Sequence, residues 1–135
     1  LPKLKEVLCA AEYLALEYDQ QGKEPTIILC ERGINESTMG MRNTPQPEFL
    51  KQLRKATYLP VIGDPSHSSG CRDLVPEVGR AYLDAAANGL IIDVIRDDEK
   101  PQIDGVDVCD YDQGMRSSSF RGFASEIKRR RVPQR

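Results

Sequence analysis

Thr26-Ile27-Ile28-Leu29-Cys30 runs without a break into Glu31-Arg32-Gly33, and this junction decides how the rest of the chain is read. A short continuous apolar run rich in β-branched residues is how a strand buried on both faces reads, the usual state of strands in a parallel sheet. The charged residues that follow place a polar loop at its carboxyl end. The same grammar recurs at Leu59-Pro60-Val61-Ile62-Gly63, which opens into Asp64-Pro65-Ser66-His67. It recurs again at Leu90-Ile91-Ile92-Asp93-Val94, an apolar run that ends near a carboxylate.

Helical stripes lie between these runs. Leu4, Val7, Leu8, Ala11, Leu14 and Ala15 recur at three- and four-residue steps and predict a helix over residues 3–18, ended by Gln20-Gln21-Gly22. Asn35 to Pro47 is rich in turn formers and reads as loop, with a short helix after it at Phe49, Leu50 and Leu53. Leu74, Val75, Val78, Tyr82 and Ala85 form another stripe, stopped by Asn88-Gly89. Asp97 to Gly114 is acidic and turn-rich, and Phe120 to Arg131 reads as a last helix. Its Lys128-Arg129-Arg130-Arg131 run is taken as a solvated end that compensates the helix dipole. Strands alternating with helices predict an α/β fold, a parallel sheet covered by helices, with polar residues gathered at the strands' carboxyl ends.

Composition narrows the classes of function. The 135 residues carry 19 basic and 21 acidic groups, a net charge of −2, which offers no field to hold a nucleic acid. No apolar run approaches the roughly 18 residues of a membrane span, and no basic stretch with an apolar signal core begins the sequence, so a cytoplasmic location is expected. Cys9, Cys30, Cys71 and Cys109 have no close pairing; reduced thiols are the simplest reading, and the even count also permits two disulfides.

Three strand ends present Glu31 with Arg32, Asp64 with Ser66 and His67, and Asp93. An imidazole with carboxylates suits a divalent cation, and a guanidinium suits a phosphate or carboxylate through bidentate hydrogen bonds. The bland alternatives are a structural, hydrogen-bonded His67 and an Arg32 that is a surface charge or merely pairs with Glu31. Asp93, next to an apolar run, needs a cationic or hydrogen-bonding partner if it is ionised.

The motifs then become specific. Ile28-Leu29-Cys30-Glu31-Arg32-Gly33-Ile34, Met41-Arg42-Asn43-Thr44, Leu59-Pro60-Val61-Ile62 through Asp64-Pro65-Ser66-His67, and Arg72-Asp73-Leu74-Val75-Pro76 resemble the 3-deoxy-7-phosphoheptulonate synthases in order and spacing. These are the type I beta members of a family shared with the 3-deoxy-D-manno-octulosonate 8-phosphate synthases. The resemblance implies a partial (β/α)8 TIM barrel, with strands five to eight and flanking helices in residues 1–115 and a terminal helix with a basic tail in 116–135. It implies condensation of phosphoenolpyruvate with an aldose phosphate, erythrose 4-phosphate favoured, the first step of the shikimate route to aromatic amino acids. It also implies a divalent metal such as Mn2+, Fe2+ or Zn2+, used as a Lewis acid.

Carried over motif by motif, Arg32 with Glu31 holds the phosphoenolpyruvate phosphate, and His67 and Asp64 are catalytic. His67, Asp93 and Asp104 ligate the metal, while Arg42, Asn43, Thr44 and Ser66 lie in a substrate loop. The family's glutamate-valine-histidine-proline is here Asp93-Val94-Ile95-Arg96, a carboxylate shorter by about 1.5 Å where ligand distances tolerate about 0.2 Å. The glutamine-serine-leucine expected beyond Gly105 is missing, and the family's cysteine ligand and lysine-rich contacts belong to the first half of the barrel. The alternatives to an active transferase are a non-catalytic half-barrel and an unrelated metal-dependent lyase on a similar barrel. A cut barrel exposes strand edges and interior, which predicts a homo-oligomer or a partner supplying the first half.

Overall fold

The computed structural model describes residues 2–35 and 43–130. In chain order these form α1 (Pro2–Gln20), β1 (Leu29–Glu31), α2 (Pro47–Ala56), β2 (Val61–Gly63), α3 (Pro65–Ser69) and a 3-10 turn at Arg72–Leu74. Then come α4 (Val75–Asp84), β3 (Gly89–Leu90), β4 (Val94–Ile95), β5 (Gln102–Ile103), β6 (Val106–Asp107), β7 (Met115–Arg116) and α5 (Ser117–Arg129).

The first three strands form one parallel sheet in the order β1-β2-β3, with Leu29 opposite Val61 and Gly63 opposite Leu90. Leu29 and Val61 lie on the face that packs with Ala11 of α1, Leu50 and Leu53 of α2 and Tyr82 of α4. Gly63 permits the closest approach, because a Cβ there would stand 2.5 Å from Cγ of Tyr82. On the other face Ile28 and Ile91 remain 57% and 51% exposed, and Cys30 is open. The sheet is thus covered on one side only among the described residues.

Four consecutive barrel strands were expected, and the sheet holds three. After Leu90 the chain leaves the sheet, and Val94–Ile95 pairs in parallel with Met115–Arg116 in a separate two-stranded unit. Asp93 marks the switch: its N–H donates to Ser66 Oγ at 3.0 Å, and its carbonyl accepts from Met115 N at 2.9 Å. The stretch Asp97 to Gly114 is not merely loop either. Gln102–Ile103 and Val106–Asp107 form an antiparallel hairpin around Asp104 and Gly105, at φ 51 and 79. Asp-Gly with both residues at positive φ is the favoured two-residue hairpin turn.

A second core forms where α5 lies on α4: Val75, Met115 and Phe123 are buried together. Arg80 grips Glu126 with two hydrogen bonds of 2.8 and 2.9 Å and lies over the Phe123 ring. That pairing raises the Arg80 pKa and holds the Glu126 carboxyl below the ordinary range. Asp97 accepts from Ser118 N, Ser118 Oγ and Ser117 Oγ, so the first turn of α5 finds its donors' partner there and the carboxyl is held low. The basic end of α5 is partly paired, since Arg130 reaches Asp84 at 3.0 Å. All four cysteines are free thiols, and no helix among the described residues is long and apolar enough to cross a membrane.

Candidate metal centre

The centre is built on the exit from β2. Asp64, 4% exposed, caps the one-turn helix α3 by accepting the His67 N–H at 2.9 Å, with Pro65 preset in the first helical position and Gly70 closing the turn at φ 63. Sequence therefore dictates the geometry locally: aspartate and proline start a turn that lifts His67 beyond the end of the strand. Ser66 points inward, fully buried, and joins this turn to Asp93.

His67 then faces three carboxylates. Its Nδ1 lies 2.8 Å from Asp64 Oδ2 and 3.6 Å from Asp93 Oδ2, and its Nε2 lies 3.7 Å from Asp110 Oδ2. Nδ1 is buried and makes no hydrogen bond, since the Asp64 oxygen is near but off the donor direction. His67, Asp93 and Asp110 each offer one ligand atom, all within 4.8 Å of one another. Donors bonded to one tetrahedral ion at about 2.1 Å stand roughly 3.4 Å apart; Asp93 approaches Nδ1 and Asp110 approaches Nε2, so an ion held on one ring nitrogen draws the carboxylate beside the other nitrogen towards it. Imidazole plus carboxylate oxygen is a donor chemistry that suits Mn2+, Fe2+ or Zn2+. The residues present fit such an ion.

Arg32 stands beside this centre, with Nε 3.3 Å from Asp64 Oδ2 and its side chain 58% exposed. It also lines a cleft of about 1040 Å³ between α1, β1 and α2, shared with Lys3, Cys30, Gln46 and Phe49. A guanidinium tethered at one edge and open at the other can present its remaining N–H groups to an anion.

Other residues occupy places different from those expected. Glu31 is 5% exposed and its carboxylate is consumed internally: it accepts from Gly33 N at 2.7 Å, from Gln46 N at 3.4 Å and from the Tyr82 hydroxyl in a very short contact. It shapes the Arg32 loop from behind rather than facing a phosphate. Burial beside this carboxylate drives the Tyr82 hydroxyl's pKa upward. Ser66, expected in a substrate loop, is likewise buried. Asn43 donates to the His67 carbonyl at 2.9 Å, and Thr44 bridges Ile34 in an antiparallel pair, so both brace the loop. Arg42 lies outside the described residues.

Asp104 does not join the donor group. It occupies the tip of the β5–β6 hairpin, exposed, and its Asp-Gly pair is accounted for by the turn. Asp110 completes that group of three. Gln113, 2% exposed, was also missed, and its Nε2 donates to Asp93 Oδ2 at 2.6 Å. A signal for both was present: Cys109-Asp110 precedes Gln113-Gly114-Met115, a small residue and aspartate, then glutamine, small, apolar. The order is similar to the serine, aspartate, glutamine, serine and leucine expected around Asp104 and Gly105, found here beyond the hairpin.

Fold and site together define a class: a parallel α/β unit with a group of one imidazole and two carboxylates that could hold a cation at the strands' carboxyl ends, and a half-exposed guanidinium next to it. Comparison with known proteins fixes the family, because residues 4–128 match the DAHP synthetase I family, and the chain belongs to it. Members of that family are transferases of aromatic amino acid biosynthesis, on the shikimate pathway, acting on small molecules. A curated relative, phospho-2-dehydro-3-deoxyheptonate aldolase of Thermotoga maritima, is 38% identical over 126 residues, covering 93% of this chain and 34% of the relative. The crystal structure of the Thermotoga maritima DAHP synthase superposes with a TM-score of 0.78 at 36% identity, covering 93% of this chain and 34% of that one. A truncated form of the 3-deoxy-D-arabino-heptulosonate 7-phosphate synthase from the same organism gives 0.75 at 34% identity, covering 93% of this chain and 43% of that one. The chain thus spans about a third of the curated relative it matches.

Proposed function

We propose that this chain carries the metal-binding and phosphate-binding rim of a 3-deoxy-7-phosphoheptulonate synthase, condensing phosphoenolpyruvate with erythrose 4-phosphate and releasing phosphate. The observation that supports this most is the meeting of His67, Asp93 and Asp110 beside Arg32. A divalent ion held by these three would polarise the aldehyde oxygen as a Lewis acid. Arg32 grips the phosphoenolpyruvate phosphate with the N–H groups that Asp64 does not face. Asp64 orients His67 through its backbone N–H and holds the guanidinium at the same time, so one buried carboxylate ties the ion's site to the substrate's. Glu31 and Asn43 act as braces, and Arg42 and Thr44 belong to the loop over the substrate. The location we propose is cytoplasmic.

Titration calorimetry of the chain with Mn2+, followed by phosphoenolpyruvate, tests this reading. Mn2+ binding is expected to vanish in His67→Ala, and phosphoenolpyruvate binding to weaken about 10–100-fold in Arg32→Gln, the loss of charge-assisted hydrogen bonds. No Mn2+ binding by the unaltered chain, or phosphoenolpyruvate affinity indifferent to Arg32, overturns it.

A second reading concerns assembly. Ile28 and Ile91 on the bare sheet face favour a cover from further barrel strands, supplied by a partner segment or by a second copy. Light scattering that reports a monomer at high concentration would count against self-association.

A further inference from the structure

Resting on the metal reading above, we propose that Gln113 is a positioning residue for the site, fixing the carboxylate of Asp93 so that this short side chain meets the ion. The problem it solves is geometric. An aspartate has one carbon fewer than the glutamate of the family pattern, so its oxygens have a smaller arc in which to find a cation. A carboxylate free to rotate would spend much of its time turned away.

The structure removes that freedom from both ends. At the backbone, Asp93 is held by Ser66 Oγ on its N–H and by Met115 N on its carbonyl. At the side chain, Gln113 Nε2 donates to Oδ2 at 2.6 Å, the same oxygen that lies 3.6 Å from His67 Nδ1. A carboxylate oxygen has two lone pairs, so one can take the amide while the other faces the ion. The amide is neutral and adds no charge to compete with the cation, which an ammonium in this place would do.

Gln113 is itself immobilised by the segment around it. Arg72 donates to the carbonyls of Tyr111 and Gly114, at 2.5 and 2.6 Å, and its N–H donates to the Asp112 carbonyl at 2.8 Å. Two guanidinium groups lie against the Tyr111 ring, Arg72 at 4.9 Å and Arg116 at 5.2 Å from its centroid. Arg116 also donates to the Tyr111 hydroxyl at 2.6 Å. This stack lies within the stretch that carries both Asp110 and Gln113, so a single clamp places one ligand directly and another through an amide.

The test is Mn2+ binding by the chain, followed through loss of the free-ion electron paramagnetic resonance signal, in Gln113→Met and Gln113→Asn. Methionine keeps the volume and removes the donor; outer-shell losses of this kind cost about 10–100-fold in metal affinity. Thermal unfolding of the metal-free chain accompanies each titration. The expected result is an affinity reduced by that factor in Gln113→Met with the metal-free midpoint unchanged, and partial recovery in Gln113→Asn, which restores an amide at shorter reach. If the unaltered chain binds and Gln113→Met binds equally well, positioning by Gln113 is wrong while the metal site stands. If the unaltered chain does not bind, the metal reading falls first. Should Gln113→Met unfold, Tyr111→Leu, which loosens the clamp one step away, must show the same affinity loss or the inference fails.

Discussion

Replacing Gly63 by alanine probes the contact on which the core and the Arg32 loop both depend. A Cβ at this position would stand 2.5 Å from Cγ and 2.9 Å from Cβ of Tyr82, and closer still to one ring carbon. Carbon atoms rest at about 3.5–4.0 Å, so Tyr82 must retreat by roughly 1 Å. Rotation of the ring cannot provide this, because the Tyr82 Cβ is part of the overlap; α4 itself has to move. Overpacking of this kind costs about 1–3 kcal/mol. Displacing the tyrosine also parts its hydroxyl from the buried Glu31 carboxylate, at a further cost of about 1–3 kcal/mol. The sum, about 2–6 kcal/mol, is large against the roughly 5–15 kcal/mol that stabilises an ordinary domain. Urea unfolding followed by circular dichroism should show the midpoint falling by roughly 1–4 M at the slopes usual for a chain of this size. In a Tyr82→Ala background Gly63→Ala should cost less, since the ring and the Cγ that the new methyl group meets are gone. A Gly63→Ala chain within about 0.5 kcal/mol of the original, or strict additivity in the double variant, would refute the reasoning.

Three further outcomes are expected. Asp110→Asn abolishes the rise in unfolding midpoint that saturating Mn2+ gives, worth about 2.7 kcal/mol at a hundredfold excess over the dissociation constant, while Asp104→Asn keeps it; the reverse pattern would return Asp104 to the site. Burial of the sulfur, reinforced by Asp64 and Glu31 against Arg32, pushes the Cys30 thiol up to about 11, so alkylation at pH 8 should run about tenfold slower than for an ordinary exposed thiol. Because the folded state holds this proton more tightly, its contribution to stability is present below the ordinary value of 9.0 and is lost as pH rises towards about 11, which unfolding midpoints across that window will register. Phe123→Ala empties the core between α4 and α5 at a cost of about 3 kcal/mol, and hydrogen exchange should accelerate in Ser117–Arg129 before it does in α2; uniform exchange would argue that the two cores open together.

Much of the fold was legible because its signals are short-range. The apolar runs ending at Cys30, Gly63 and near Asp93 each announced a strand followed by polar residues, and the stripes through Leu4–Ala15 and Leu74–Ala85 announced α1 and α4. What periodicity could not give was which runs hydrogen-bond to which. Ile91 and Ile92 have the composition of a strand, yet pairing stops at Leu90 because Ser66 and Met115 capture the backbone of Asp93. That decision rests on partners 27 and 22 residues away in sequence, beyond the reach of any local pattern. Asp104-Gly105 also carried a local sign of a hairpin turn, in a stretch read only as acidic and turn-rich.

The site followed the same division. His67 and Asp64 were readable because aspartate, proline and histidine at this spacing force a capped turn, and Arg32 because it follows a strand directly. The expected ligand Asp104 falls at the first aspartate–glycine pair after the strand, and that pair forms the turn between β5 and β6. Asp104 sits exposed at the tip of a two-residue hairpin, at positive φ, and is not among the grouped donors. Asp110 lies 3.7 Å from His67 Nε2, in a stretch that Met115 returns to Asp93 through its backbone N–H and whose carbonyls Arg72 ties. The β5–β6 hairpin leaves the grouping of His67, Asp93 and Asp110 intact because the stretch that carries it is closed at the β4–β7 pairing, where Val94 meets Met115. The short side chain of Asp93 and the long stretch before Asp110 are compatible, since both are referred to one fixed point, the backbone of Asp93.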